Sequence, residues 1–427
     1  PSGPRVSVHP RVRRLPMREL PTTIRRMRGD LPAAFRDLSS RFPEGVALPL
    51  PGKDIVVLGS AGAQRRVLIE NAANYVKGLG QAEIGAHLGP GVLTADGEVW
   101  QRHRSPVVAR LRSRRVAEMS GTVLALAERS ISSLVPEGEA EAVVDLTLPL
   151  AQYTLDCLSA AFDLPPIPAA EVVEALDVFQ DAAMFESFTL AAVPARWRRR
   201  ADARLREADA ALHALCSDLL AGLGPQARNE GWADEPGLRS LLLAGYETTA
   251  TSLAWAVLEL AQAPETRHAI AQEAQSAVPV LERRVAARFF AESVRARPPV
   301  WLISRRAMAD DVVDGHTIRA GDEVVLPVGT PQHEAQAIGQ PSDLTFGLGP
   351  RGCPGKRLAD VEGTAWLSVL LGRYEIEDLS SNPLRVQARM TQIPRGGVRV
   401  RLRGKEVPGL ISDSVNGIDG RKDCPRH

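Results

Sequence analysis

From about residue 60 to 273, apolar residues recur at helical spacing in one segment after another, each broken off by Gly or Pro, and this pattern constrains the chain to a chiefly α architecture. The spacing predicts helices over 61–71, 97–112, 115–135, 148–162, 169–188, 197–223 and 235–263, with another over 31–42. VALPL (46–50) and DIVVLG (54–59) flank Pro51-Gly52-Lys53 and read as a β-hairpin. Beyond Pro298 the pattern turns to strands, at 300–307, 312–328, 386–393 and 397–403, which are expected to complete one small sheet. The glycine-rich connection 75–97 is expected to be a long loop that serves binding, a mobile lid. The organisation expected is a basic N-terminal arm over 1–30, one domain over 31–403 and a loose, polar tail over 404–427.

A length of 427 residues suits one large domain and leaves no room for a second catalytic module of comparable size. The hydrophobic share of 44% and charged share of 24% exclude a disordered or collagen-like chain. Lys plus Arg, 52, against Asp plus Glu, 51, gives no global attraction for nucleic acid or anionic lipid. Only five of the basic residues are lysine, a bias that goes with GC-rich bacterial coding sequences. Cys157, Cys216, Cys353 and Cys424 are scattered without a CxxC pair, which points away from a structural zinc or a disulfide framework and toward a reducing cytoplasm. The basic, proline-interrupted start has no apolar stretch for a leader or membrane span, so no membrane insertion is expected.

Four segments carry chemistry. In FGLGPRGCPGKRLADVEG (346–363), Phe346, Gly347, Gly349, Arg351, Cys353 and Gly355 form a glycine-punctuated loop that runs into an apolar-periodic helix over 358–371. Backbone N–H groups at that helix start, with glycines allowing close approach, are expected to stabilise a Cys353 thiolate and lower its pKa, and such a sulfur can ligate iron. LLLAGYETTATSLAWAVLELA (241–261) is a long apolar helix that carries Glu247, Thr248, Thr249 and Thr251. Buried carboxyl and hydroxyl groups cost free energy unless paired, so this cluster is either solvated or functional. In AESVRARPP (291–299), Glu292 and Arg295 stand one turn apart. In DGEVWQRHRSPVVARL (96–111), so do Trp100 and Arg104.

The cysteine loop resembles the heme-binding loop of the cytochrome P-450 family, FxxGxRxCxG. The resemblance implies that Cys353 is the proximal thiolate ligand of heme iron, that Phe346 packs beneath the porphyrin and that Arg351 pairs with a propionate, with Gly347 and Gly355 in the same cofactor-binding loop. The apolar helix is similar to the family's central helix, [AG]Gx[DE]T[TS], through Ala244, Gly245, Glu247, Thr248 and Thr249. By that resemblance Ala244 and Gly245 open a groove for dioxygen, while Glu247 and Thr248 relay protons. Glu292 and Arg295 match the family's ExxR brace, a structural role. Trp100 and Arg104 match WxxxR, which contacts a propionate, and Arg305 fits the R-x-A strand, with Arg306 as the alternative if the register is off by one. His103 could sit near the same side. The chain departs from the family between His333 and Phe346, where no arginine completes a Glu–Arg–Arg network, so a shortened meander is expected.

The implied fold is the cytochrome P-450 fold, mainly α with a small β-rich subdomain. The implied function is a soluble, cytoplasmic heme-thiolate monooxygenase that uses heme b (iron protoporphyrin IX) and dioxygen. Electrons would come from a separate ferredoxin or flavodoxin with its NAD(P)H-dependent reductase, docked near Lys356 and Arg357. The substrate pocket implied includes residues 82–93, Leu242 through Thr248, Val300, Trp301, Ile303 and Gln392–Ile393. These mostly aliphatic positions favour an apolar small molecule such as a terpenoid or polyketide of secondary metabolism. A member that couples or rearranges its substrate without inserting oxygen, and a non-catalytic heme-binding scaffold, are the alternatives. His213, His268, His316 and His333 show no ligand spacing, so no metal beyond heme iron is expected.

Overall fold

The computed structural model describes residues 9–50, 53–188, 195–276, 278–329, 343–380 and 385–405. Residues 1–8, most of the expected tail with Cys424, and most of the expected meander lie outside them. Helices α1 (Leu20–Gly29) and α2 (Leu31–Arg41) precede strands β1 (Val46–Leu50) and β2 (Lys53–Val57), and α3 (Ala61–Arg65), continued by a π turn over Arg66–Glu70, leads to β3 (Tyr75–Lys77). A helical body follows, formed by α4 (Gln81–Leu88), α5 (Gly97–Arg110), α6 (Ser113–Glu118), α7 (Ser120–Ser132), α8 (Thr147–Phe162), α9 (Ala169–Phe188), α10 (Ala195–Ala221), α11 (Pro225–Arg228), α12 (Glu235–Ala261), α13 (Pro264–Gln275) and α14 (Arg284–Ala296), with β4 (Glu141–Asp145) before α8. The chain then returns to sheet as β5 (Leu302–Ala307), β6 (Asp311–Val313), β7 (His316–Ile318) and β8 (Glu323–Pro327). It ends with α15 (Lys356–Arg373), β9 (Tyr374–Asp378), β10 (Val386–Ala388), β11 (Gln392–Pro394) and β12 (Arg399–Gly404).

Helix α12 is the axis of the helical body. Asp234 caps it, its carboxylate accepting from the Gly237 N–H at 2.8 Å, and Pro236 fits the first turn, where no helical N–H partner is needed. Its residues are buried on nearly every side, so α8, α10, α14 and α15 surround it. At Gly245 the packing on α8 is tight: a Cβ there would stand 2.8 Å from a Leu158 methyl group, which would have to shift.

The main sheet has strand order β1-β2-β8-β5-β3. The expected hairpin is present, Val46 facing Val57. Alternation then sorts the side chains: Val56, Val324 and Leu326 enter one apolar cluster and Ile55, Val57 and Val325 the other. β3 runs antiparallel to β5 with Lys77 opposite Arg305. The C-terminal strands do not all join this sheet: β12 pairs with β4 and β9, while β10 and β11 form a separate hairpin.

Three differences from the sequence reading have local causes. The 75–97 segment holds β3 and α4, not loop throughout. Ile84 and Leu88 are the buried residues of α4, too few among glycines to register as a period. The helix expected over 115–135 is broken at Met119 into α6 and α7. β4 has only three apolar residues between its terminal acids, with Val143 exposed, and β9 buries Ile376 alone between two exposed glutamates, so neither carries the longer apolar run that marks a strand. Within the basic arm, residues 20–29 are helical, and the Leu15 N–H donates to the Ala47 carbonyl at 2.9 Å.

Candidate active site

A cavity of about 2140 Å3, its open mouth included, separates the α12 face from the cysteine loop. The loop is shaped by glycine at positive φ: Gly347 at 67° and Gly349 at 69°. A Cβ on Gly349 would meet the Leu68 carbonyl at 2.0 Å, so the loop can lie on the π turn only with glycine there. The Cys353 N–H donates to the Phe346 carbonyl at 2.7 Å, which closes the loop and sets sulfur and ring at one end of the cavity. Lys356 Nζ lies 4.9 Å from the Phe346 ring centre.

Cys353 has accessible surface, yet this surface borders the cavity and protein surrounds it. Burial pushes its thiol pKa up from the ordinary value, while the N–H groups of Gly355 and Lys356 and the charges of Arg104 and Lys356 pull it down. The expected lowering by the helix start is therefore present but outweighed by desolvation. Ligation by a cation would reverse that balance.

On the opposite wall, Ala244, Gly245, Glu247 and Thr248 line the cavity. The Thr248 hydroxyl donates to the Ala244 carbonyl at 2.9 Å, a bond internal to the helix that leaves its lone pairs toward other partners. Glu247 is buried, and Oε1 accepts from the Thr391 hydroxyl at 2.8 Å. Burial pushes its carboxyl up to about 7, with the Asp177 charge adding to the rise and Thr391, Gln180 and Arg389 opposing it.

Cations gather along one side. Lys77, Arg104, Arg305 and Arg351 all border the cavity. Arg305 faces in and Arg306 faces out, where it pairs with Glu323 at 3.4 Å, so the strand register selects Arg305. Like charges directly opposite on paired strands destabilise a sheet, and Lys77 and Arg305, both buried, are such a pair. Lys77 Nζ donates to the carbonyls of Val92 and Ala95 at 2.7 and 2.6 Å. Burial lowers its pKa to about 7, with Arg351, Arg305 and Arg104 contributing and Asp96 opposing. Burial likewise lowers Arg305 to about 10. Asp96 binds Arg351 at 2.7 Å, and Arg351 Nε is buried without a hydrogen-bond partner. Trp100 lies between two of the cations, 5.9 Å from the Arg104 guanidinium and 5.7 Å from that of Arg351.

Not every expected residue is here. Leu242 is fully buried in the helical core and does not line the cavity, unlike Leu241 and Leu243, because its side chain projects from another side of α12. Val300, Trp301 and Ile303 do line it. The last wall is made by Arg389, Met390 and Thr391, not by Gln392–Ile393. His103 binds the capping carboxylate Asp234 through Nε2 at 3.0 Å and does not line the cavity. Glu292 is exposed and pairs with Arg288 at 2.8 Å, one turn back on α14, in place of the expected Arg295 clasp. Arg295 is itself engaged. Lys77, Asp96, Thr391 and Arg389 carry no motif. The sequence signal for Lys77 was its rarity as a lysine beside glycine-rich chain.

A family model described as Cytochrome P450 matches residues 238–342 and 334–398. Aromatase of Mus musculus is 31% identical over 162 residues, covering 33% of this chain and 32% of its own. Aromatase of Homo sapiens is 30% identical with the same coverage. The chain thus spans about a third of the length of these curated relatives. Among solved structures, CYP175A1 from Thermus thermophilus superposes with a TM-score of 0.75 at 23% identity, over 92% of this chain and 100% of that one. A six-coordinated cytochrome P450 from another strain of Thermus thermophilus gives 0.70 at 22% identity, with the same coverage. The fold is the cytochrome P450 fold, and the segment that the Cytochrome P450 family model matches holds both the Glu247–Thr248 helix and the Cys353 loop, which face each other across the cavity.

Proposed function

We propose that the protein is a heme-thiolate monooxygenase that activates dioxygen and oxidises an apolar small molecule. The observation that carries this reading is one cavity bordered by the Cys353 sulfur, by the Ala244–Thr248 face of α12, and along one side by the cations Lys77, Arg104, Arg305 and Arg351. An iron protoporphyrin fits that donor set. The cysteine sulfur is a soft ligand for iron. Lys77, Arg104, Arg305 and Arg351, with the orphaned Nε of Arg351, answer the two carboxylates that heme b carries.

Bound there, heme iron would supply dioxygen activation, with thiolate electron density favouring O–O cleavage. Cys353 would hold the iron and Phe346 would pack under the ring. Glu247, neutral below about pH 7, holds a proton at its carboxyl in the cavity wall. Thr248, the next residue, presents a hydroxyl to the same space, so the pair can hand protons to the distal side. Leu79, Val92, Leu93, Val300 and Ile303 exclude water and suit a terpenoid-like or polyketide-like substrate.

Electrons are proposed to come from a ferredoxin or flavodoxin and its reductase. Arg112, Lys356 and Arg357 line a shallow groove behind Cys353. Of these, Lys356 is paired with Asp360 at 2.8 Å, while Arg112 and Arg357 are exposed. Reversing both arginines to glutamate is expected to slow reduction by an acidic carrier and flatten its salt dependence, and unchanged rates at low salt would remove this docking face.

The reading as a whole is tested by the carbon monoxide difference spectrum of the reduced, heme-loaded protein. The strongly red-shifted Soret band of thiolate ligation is expected, and Cys353→Ser should abolish it. Absence of the band in the unaltered protein would sink the proposal. A cytoplasmic site of action accords with the scattered cysteines. Among the described residues no helix is long and apolar enough to cross a membrane.

A further inference from the structure

The carboxyl of Glu247 is held from outside its own helix. β10 and β11 form a hairpin, Ala388 facing Gln392, and its three-residue tip is Arg389, Met390 and Thr391, all bordering the cavity. The Arg389 N–H donates to the Thr391 carbonyl at 2.7 Å and closes the tip. Thr391 is buried, and its hydroxyl donates to Glu247 Oε1. The Arg389 guanidinium turns the other way, onto α9: Nη1 contacts Asp177, and Nε lies 2.9 Å from Asp181 Oδ1, one turn on. The Arg389 carbonyl accepts from Trp301 Nε1 at 2.9 Å, which ties the tip to the residue just before β5 as well.

Gln180, also on α9, is fully buried, and neither of its amide atoms meets hydrogen-bond geometry with a partner. It nevertheless biases the Glu247 carboxyl toward ionisation. The groups acting on Glu247 are thus Tyr246 on α12, Asp177 and Gln180 on α9, and Arg389 and Thr391 on the hairpin tip.

We propose that Thr391 is a positioning residue for the acid–alcohol pair, its hydroxyl anchoring one oxygen of Glu247 at the cavity wall, and that Arg389, clasped by Asp177 and Asp181, locks the hairpin tip that carries it to α9. The proposal deepens the proton-delivery reading and rests on it. It follows that the position of α9, which forms part of the cavity wall through Met184, is coupled to the orientation of Glu247. A threonine on a hairpin tip remote in sequence then governs the acid of a helix 144 residues away.

The test uses the heme-loaded protein and needs no substrate. The infrared carbonyl stretch of Glu247 is assigned by its loss in Glu247→Gln, and its titration midpoint, expected near 7, is followed in three variants. Thr391→Val removes a bond that favours the ionised form, so the midpoint is expected to rise by about half a unit to one unit. Thr391→Ser restores the hydroxyl and should return it to the unaltered value. Arg389→Gln should also raise the midpoint, through lost charge and a loosened tip. A midpoint unmoved in Thr391→Val, or one moved equally in Thr391→Ser, would overturn the proposal, since packing and not the hydroxyl would then be at work. The reduced carbon monoxide spectrum of each variant separates the two levels: a missing thiolate band in the unaltered protein defeats the assigned function, whereas the infrared comparison judges Thr391 alone.

Discussion

A carboxyl group enters an apolar interior most readily as the neutral acid, and among the described residues Glu247 and Glu362 are raised furthest by burial. Burial raises Glu247 to about 7 and Glu362 to about 8. Glu362 lies on α15 among Tyr153, Cys157 and Thr249, and the Tyr153 hydroxyl donates to its backbone carbonyl at 3.0 Å. A carboxyl whose folded pKa is raised contributes stability that is complete below its unfolded pKa and is lost as pH rises through the folded value. Between pH 5 and 7 the unfolded chain has released the Glu362 proton and the folded chain has not. Each such group then lowers stability by about 1.4 kcal/mol per pH unit. Lys77 acts with the opposite sign, since its lowered pKa adds stability as pH rises above about 7, so the window below 7 is the clean one. Glu362→Gln is therefore expected to flatten the fall of denaturant-unfolding free energy from pH 5 to 7 by roughly that amount per unit. An unchanged slope would mean that Glu362 is already ionised there. At this scale the sequence was legible where chemistry is local. Cys353, Glu247 and Thr248 stand in short patterns whose spacing fixes their placement, whereas Lys77 reaches Arg305 only through strand register and Thr391 reaches Glu247 only through a hairpin tip.

Helices were legible as elements because a 3.6-residue period needs only one chain segment to be seen, and α5, α8, α9 and α12 fall where their periods place them. The edge strands β4 and β9 were not, because what makes Tyr374–Asp378 a strand is its pairing with β12, and residues half exposed on an edge carry no long apolar run. The same logic separates what a glycine says in sequence from what it does in the fold. Gly245 reads as part of a dioxygen groove by family pattern, yet a Cβ there would meet the Leu158 methyl groups at 2.8 and 3.1 Å. Close packing of α8 on α12 is thus a second demand at that position. Gly245→Ala is expected to destabilise by about 1 to 3 kcal/mol, the cost of overpacking exceeding the gain in helix propensity. Combining it with Leu158→Ala should recover part of the loss, because the two changes share one contact. Denaturant titrations of both single variants and the pair measure this coupling, and strictly additive losses would show that α8 does not set the requirement.

Across the whole molecule, one large helical core and two smaller cores on the faces of the main sheet meet around the cavity. The loop before Cys353 joins them: Phe346 packs against the helical core, while Leu348, with Ile303, packs against a sheet core. Cofactor carboxylates would neutralise the like-charged Lys77 and Arg305, and a ring under α12 would fill the space between the bodies, so binding should stabilise their junction more than either interior. Ligand at a hundredfold excess over its dissociation constant adds about 2.7 kcal/mol to the folded state. That gain should be uneven in space. Hydrogen exchange on heme-loaded and heme-extracted protein is expected to differ most in residues 76–96, in β5 and in 344–357, where the cations and the sulfur lie. The packing of α7, α13 and α15 away from the cavity should differ least, since its apolar contacts are made without the cofactor. Equal protection throughout would mean that the two bodies already form one cooperative unit and that the cation cluster is tolerated without its counter-charge.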